Sequence, residues 1–67
     1  MNKLLFTFKK EFGKDIVLVC NNPKDLHDHL KYNYNWFSFK ILTSYVSIIE
    51  DEGGAESIAS LKWIRHI

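Results

Sequence analysis

The sequence is poor in cysteine, proline and arginine, with one residue of each among 67. The single cysteine, Cys20, excludes an internal disulfide and a multi-cysteine zinc site. One arginine and a formal net charge of +1 leave no broad basic field to attract nucleic acid or an anionic membrane. A domain this small buries only about 60% of its unfolded surface. Its stability must therefore come from a dense core or from association with another chain.

Long apolar runs are also missing. No run approaches the roughly 18 residues of a transmembrane helix. Lys9, Lys10 and Glu11 interrupt the apolar start of the chain before it reaches the length of a secretory signal. With one unpaired cysteine, these features predict a cytoplasmic protein that does not enter a membrane. The abundance of residues with A/T-rich codons suggests an AT-rich genome, and we hypothesise a phage or another mobile element as the source.

Aromatic side chains, in contrast, are abundant. They make up 15% of the chain and can supply the dense core, because each buries roughly 150–250 Å². Six of the ten lie in residues 32–50, which we take as the stretch around which the fold is organised. There Phe37, Phe39 and Ile41 alternate with polar residues, as in a strand with one buried face. After residue 43 the apolar residues fall on the opposite parity. This change exchanges the two faces of the strand and predicts a turn or bulge at residues 42–44.

Two strands are predicted before this stretch. Residues 4–8 alternate, whereas residues 16–20 are apolar on both faces, which is typical of a central strand. Gly13 suits a hairpin loop between them, and we expect Phe12 in that loop to fold back over the hairpin.

A short helix is predicted next. Asn22 suits its N-cap, Pro23 its first position, and Leu26 and Leu30 its buried face. The helix should end near residues 31–32, where weak helix formers begin.

The C-terminal segment is ambiguous. Apolar residues recur at every third position from Ile58 to Ile67, which fits two short strands joined by a tight turn at residues 60–63. Residues 55–67 also fit an amphipathic helix, and we favour strand. The order ββαββ, closed by this segment, predicts a single α+β domain over residues 1–67. Its mainly antiparallel sheet has four to five strands, with the helix packed on one face.

The titratable residues form no defensible catalytic or metal centre. Asp25, His27, Asp28 and His29 look like metal ligands, but only Asp25 and His29 share a helix face, and nothing else completes a zinc site. Cys20 ends an apolar strand, where a thiol is a buried hydrophobe with a raised pKa. No glycine-rich phosphate motif is present. We predict a protein that is not an enzyme and has no metal or cofactor.

Charge is distributed unevenly. Residues 1–14 carry four lysines against one glutamate, and residues 50–56 carry four carboxylates without a base. The acidic turn could bind a basic partner, pair with the chain's own Lys9-Lys10 edge, or serve solubility alone. Asp51 and Glu52 are our candidates for partner contact.

Aromatic residues lie close together between Lys31 and Lys40, and Tyr32 and Tyr34 stand next to polar asparagines. The aromatic residues could cap a small core with their polar tips in water, anchor a protein interface, or stack single-stranded nucleic acid. The complete set that we assign to partner binding is Tyr32, Tyr34, Trp36, Lys40, Asp51, Glu52 and Trp63.

By elimination, we predict a small non-enzymatic binding module that regulates or inhibits another protein. Two alternatives stay open. One is a single-stranded nucleic-acid binder that uses the same aromatic residues with Lys31 and Lys40, against which the near-zero net charge counts. The other is a structural subunit that folds only as a homodimer.

Overall fold

The computed structural model describes residues 2–65. They form β1 (Asn2–Phe8), β2 (Ile16–Cys20), α1 (Pro23–Asn33), β3 (Ser38–Ile41), β4 (Tyr45–Ile49) and β5 (Ser57–Arg65). The strands make one sheet in the order β2-β1-β5-β4-β3, and all neighbours are antiparallel. The predicted α+β class and the ββαββ order are confirmed, and the C-terminal segment is a strand. His66 and Ile67, the end of that predicted segment, lie outside the described residues.

The sheet is organised around β5 and not around the aromatic stretch of residues 32–50. β5 lies between β1 and β4, whereas β3 lies at an edge. The predicted turn at residues 60–63 is wrong, because β5 runs through it without interruption. The three-residue apolar spacing instead reflects the two faces of one strand. Leu61 belongs to the core, and Ile58 and Ile64 lie on the opposite face.

One face of the sheet, the inner face, carries the core and is covered by α1. The strand register places the core residues on this face. Leu4 is paired with Cys20 and Phe6 with Leu61, and alternate residues along each strand point to the same side of the sheet. Fully burying such a side chain contributes roughly 1.5–3 kcal/mol. The buried residues are Leu4, Phe6, Phe8, Cys20, Leu26, Leu30, Val46, Ile48, Ala59 and Leu61.

Helix α1 begins as predicted. The side chain of Asn22 accepts a hydrogen bond from the Asp25 N–H at 2.8 Å, and Pro23 occupies the first turn. The helix ends at Asn33, slightly later than predicted. There the Tyr34 N–H donates to the Leu30 carbonyl at 3.3 Å, which satisfies one of the carbonyls left open at a helix C-terminus. The Asn33 side-chain amide also donates to the His29 carbonyl at 2.7 Å.

The turns predicted at residues 42–44 and around Gly13 are present. The Leu42 N–H donates to the Tyr45 carbonyl at 2.9 Å and closes the turn between β3 and β4, which explains the shift in alternation. Gly13 has φ 93° in the loop that joins β1 to β2. Phe12 in that loop is 81% exposed, so the prediction that it folds over the hairpin is wrong. The core beside the hairpin is already closed, because Trp36 packs against Phe8.

β2 is an edge strand, although its composition predicted a central one. On the inner face Ile16 and Leu18 pack against the core and Cys20 is buried. On the outer face Val17 is 60% and Val19 49% exposed, because α1 covers only the other side. The prediction of a central strand is therefore wrong.

Candidate functional site

A groove separates α1 from the edge strand β3. It has a volume of about 350 Å³ and is open to solvent. Because β3 has a strand neighbour on one side only, its other side offers backbone groups that no strand of residues 2–65 pairs. The groove is lined by His27, Lys31, Tyr34, Trp36, Phe37, Ser38 and Phe39.

Trp36 forms the floor of this groove and is held by three aromatic neighbours. The Tyr34 ring stacks on it with centroids 4.7 Å apart and an interplanar angle of 10°. Phe8 and Phe39 meet it edge-on, at centroid distances of 5.8 and 6.2 Å. Each such pair contributes roughly 0.5–1.5 kcal/mol beyond its buried area. Trp36 is therefore a fixed, half-buried surface.

The chain after α1 places both rings on one side. Tyr34 is the C-cap of α1 and is extended, with φ −133° and ψ 141°. In extended backbone, residues two apart point the same way, so Tyr34 and Trp36 face the core while Asn33 and Asn35 remain exposed. The alternation of aromatic and asparagine residues is thus the local cause of the aromatic floor.

Two basic residues, His27 and Lys31, line the groove. The Lys31 Nζ lies 5.5 Å from the centre of the Tyr32 ring. The His27 ring is 5.2 Å from that of Phe39, and its Nδ1 is 3.7 Å from a carboxylate oxygen of Asp28. No carboxylate is among the lining residues in the described part of the chain. The groove therefore favours neutral or acidic ligands over basic ones.

The predicted binding residues do not share one surface. Tyr34 and Trp36 line the groove, and Tyr32 is exposed beside Lys31 in the last turn of α1. Lys40 lies on the outer face of the sheet, since its strand neighbour Phe39 lies on the inner one. Trp63 is more than half exposed at the opposite end of the inner face, in register with Leu4.

Asp51 and Glu52 lie in the exposed turn between β4 and β5, where the Gly54 N–H donates to the Asp51 carbonyl at 3.0 Å. The acidic segment adjoins the basic hairpin loop, because the Lys10 Nζ is 3.6 Å from a carboxylate oxygen of Glu50. This pair is partly exposed, so it contributes at most about 1 kcal/mol. One glutamate of the acidic cluster thus pairs with one lysine of the hairpin loop.

Sequence reasoning considered His27 only as a metal ligand and not for partner binding, and it misplaced Phe37. His27 and Lys31 are four residues apart and share a helix face, a spacing that could have identified that side of the groove. Phe37 was predicted on the buried face, yet it precedes β3 and is 59% exposed. The alternation that begins with Phe39 does not extend back to it, because the strand starts only at Ser38.

Cys20 is buried, as predicted, at the end of β2. Burial raises the pKa of its thiol, and the nearby Asp25 carboxylate raises it further. Both effects disfavour the thiolate, which is the reactive form of cysteine. The surroundings of Cys20 are therefore those of a core residue.

Metal binding and membrane spanning find no support in the described part of the chain. Residues 2–65 contain no group of three His, Cys, Asp or Glu side chains placed to hold a metal ion. None of their helical segments combines the length and apolarity needed to cross a bilayer.

Comparison with protein-family models, with curated proteins and with solved structures found no match. The functional assignment therefore depends on the surfaces of the chain itself.

Proposed function

We propose that this chain is a small, non-catalytic protein-binding module that takes up an extended segment of another protein in the groove between α1 and β3. The observation that carries the proposal is the position of an aromatic-floored groove beside a free sheet edge. Extended segments bind such edges as an added strand. Main-chain hydrogen bonds then provide affinity, and pockets for alternate side chains provide specificity.

The lining residues indicate the chemistry of the bound segment. Trp36 and Phe39 offer a rigid apolar surface, so we expect an aliphatic or aromatic anchor on the segment. Lys31, at the same groove, favours an acidic residue near that anchor. The proposed ligand is therefore an extended segment that carries one apolar anchor and one carboxylate.

A module of this kind can regulate or inhibit a larger protein by covering such a segment. We include this role in the proposal together with a cytoplasmic location, which the free thiol of Cys20 supports. The hypothesis of a phage or mobile-element source also remains.

Single-stranded nucleic acid is a weaker candidate for this surface. Stacking of bases needs free aromatic faces, but Tyr34 and Trp36 already stack on each other. Lys40, which would neutralise phosphate, lies on the outer face of the sheet, away from the groove. Of the predicted stacking residues, Tyr32 keeps most of its surface free.

The test is selection from a displayed library of random linear peptides, followed by binding titrations with the enriched sequences. We expect enrichment of peptides with an apolar residue near an acidic one. Lys31→Glu should weaken their binding by about tenfold, since it replaces attraction by repulsion at the groove. The matched control is Lys62→Glu, the same change of charge on an exposed β5 residue of the outer face, and it should leave binding unchanged.

Equal loss of binding in both variants, or chemical-shift changes in NMR titrations that map away from the groove, would contradict the proposal. A labelled oligo-dT is the second probe. Tight binding of oligo-dT with a steep salt dependence would favour nucleic acid instead.

A further inference from the structure

The edge strand β2 lacks the devices that keep sheet edges apart. Natural edges are blunted by charged side chains, proline, bulges or a covering element. β2 reads Ile-Val-Leu-Val-Cys, with neither charge nor proline, and its register with β1 runs from Ile16 to Cys20 without a bulge. The opposite edge, β3, is one residue shorter and carries Lys40. β2 is the edge that is open to permanent pairing.

The outer face next to this edge is also apolar. Val17 and Val19 are exposed there, and Val19 is in register with Leu5 on β1. Strands that are apolar on both faces normally lie inside a sheet, where both faces and both edges are covered. β2 thus has the composition of an internal strand and the position of an edge strand.

We propose that two copies of this chain pair through their β2 strands, antiparallel and about a two-fold axis. The five strands of each copy then join into one continuous sheet of ten, with the two β2 strands at its centre. The backbone groups along the free side of β2 find partners, and its composition matches its position.

The register of β2 supports a second copy as the occupant. Pairing centred on Leu18 places Val17 opposite Val19 of the second copy. It places Asp15, just before the strand, opposite Asn21 of the second copy. No two residues of like charge lie directly opposite each other in this arrangement, so the direct cross-strand pairs carry no charge repulsion.

The two-fold symmetry also favours β2–β2 pairing over β2–β3 pairing. An isologous interface closes on itself, whereas the joining of β2 to β3 of the next copy would continue into a fibre. The α1–β3 groove lies at the other edge of each sheet, so the dimer would leave both grooves open. The inference is therefore independent of the proposed function.

The first experiment measures the mass of the full chain by analytical ultracentrifugation over a concentration series. We expect twice the chain mass of 7.9 kDa. Val17→Lys with Val19→Lys should shift the equilibrium to monomer while the circular dichroism spectrum stays native, because both side chains point away from the core. Lysines on β2 would place charge at the paired edge, as in natural protected edges.

The control is Ile58→Lys, which adds the same charge at an exposed position of the outer face on the central strand β5. It should leave the dimer intact. A monomer at every concentration would overturn the proposal. A dimer that Ile58→Lys dissociates and the β2 variant does not would overturn it in favour of face-to-face stacking.

The second experiment tests the register by disulfide cross-linking in a Cys20→Ala background. A mixture of Val17→Cys and Val19→Cys chains should form a mixed disulfide faster than either variant alone, since these positions lie opposite each other in the inferred pairing. If Cys20→Ala does not fold, the same mixture in the native background serves, because Cys20 is buried. Absence of the mixed product, or equal cross-linking by Ile58→Cys, would overturn the β2 register.

Discussion

The two edges of this sheet differ in composition and surroundings. β2 is uncharged, and its two outer valines are exposed. β3 carries Lys40 and adjoins a groove with an aromatic floor and basic groups. Permanent interfaces are the more apolar ones, whereas recognition surfaces rely on a few aromatic anchors and charges. The comparison teaches that the two free edges of one small sheet can be suited to different partners.

The largest expected effect comes from a truncation in the core that both edges share. Phe6→Ala should cost about 3–5 kcal/mol, as for other truncations of fully buried aromatic residues. That equals the whole stability expected of a domain of this size, so the variant should be largely unfolded by circular dichroism. Phe6 is fully buried in β1, next to the central strand β5, and both edges should be lost together.

Phe12→Ala is the matched control for Phe6→Ala. It is the same substitution at a residue that is 81% exposed, and we expect an unchanged melting temperature. A native-like melt of Phe6→Ala would contradict the assignment of the core to the inner face.

Phe39→Ala should affect the two edges unequally. Phe39 is only partly buried at the β3 edge, so the cost should be about 1–3 kcal/mol, below that of a full core truncation. Hydrogen exchange should accelerate in β3 and β4 more than in β1 and β2, and binding of groove peptides should weaken. Phe37→Ala, at an exposed residue, should leave stability unchanged. Equal acceleration of hydrogen exchange in all five strands would contradict an effect that is confined to the β3 side of the sheet.

Local signals in the sequence predicted the local structure. The N-cap at Asn22, the turn at residues 42–44 and the positive φ of Gly13 each depend on a few neighbouring residues, and the structure confirms them. The order of the strands could not be predicted, because it depends on pairing between distant segments. The central position was therefore assigned to β2 and not to β5, although the alternation of β1 was interpreted correctly.

The candidate site was predictable only in part, for the same reason. The cluster of aromatic residues close to lysines identified Tyr34 and Trp36, which both line the groove. Their role as a groove floor depends on where α1 and β3 meet, and no spacing in the sequence states this. Lys40 and Trp63 were grouped with them by composition, yet strand parity and register place both elsewhere.

The acidic turn offers a test with a smaller expected effect. Asp51→Asn with Glu52→Gln should leave the melting temperature unchanged, because both side chains are exposed. Glu50→Gln should lower stability by at most about 1 kcal/mol, and less at high salt, since it removes the partly exposed pair with Lys10. Thermal melts at low and high salt check both expectations. A larger loss in the double variant would show that the turn also pairs with the basic loop.

The smallest expected effect is the pH dependence of stability that the Cys20 thiol causes. Because Cys20 ends β2, this measurement also tests the β2 edge. The pKa of the thiol is raised in the folded chain by burial and then by the Asp25 carboxylate. Below the ordinary thiol pKa both folded and unfolded states are protonated, and the contribution of Cys20 to stability is constant. Between the ordinary and the raised pKa the unfolded state binds fewer protons, so the free energy of unfolding should fall as pH rises.

Urea titrations at alkaline pH measure this slope, and Cys20→Ala should remove its share of it. Native labelling by a thiol reagent should be slow, and fast in denaturant, since the thiol must be exposed to react. If two copies pair through β2, labelling should slow further as protein concentration rises, and the Val17→Lys, Val19→Lys variant should lose this dependence. Rapid labelling of the native chain at every concentration would mean that the end of β2 opens readily. β2 would then not be suited to permanent pairing, and the proposed difference between the two edges of the sheet would be contradicted.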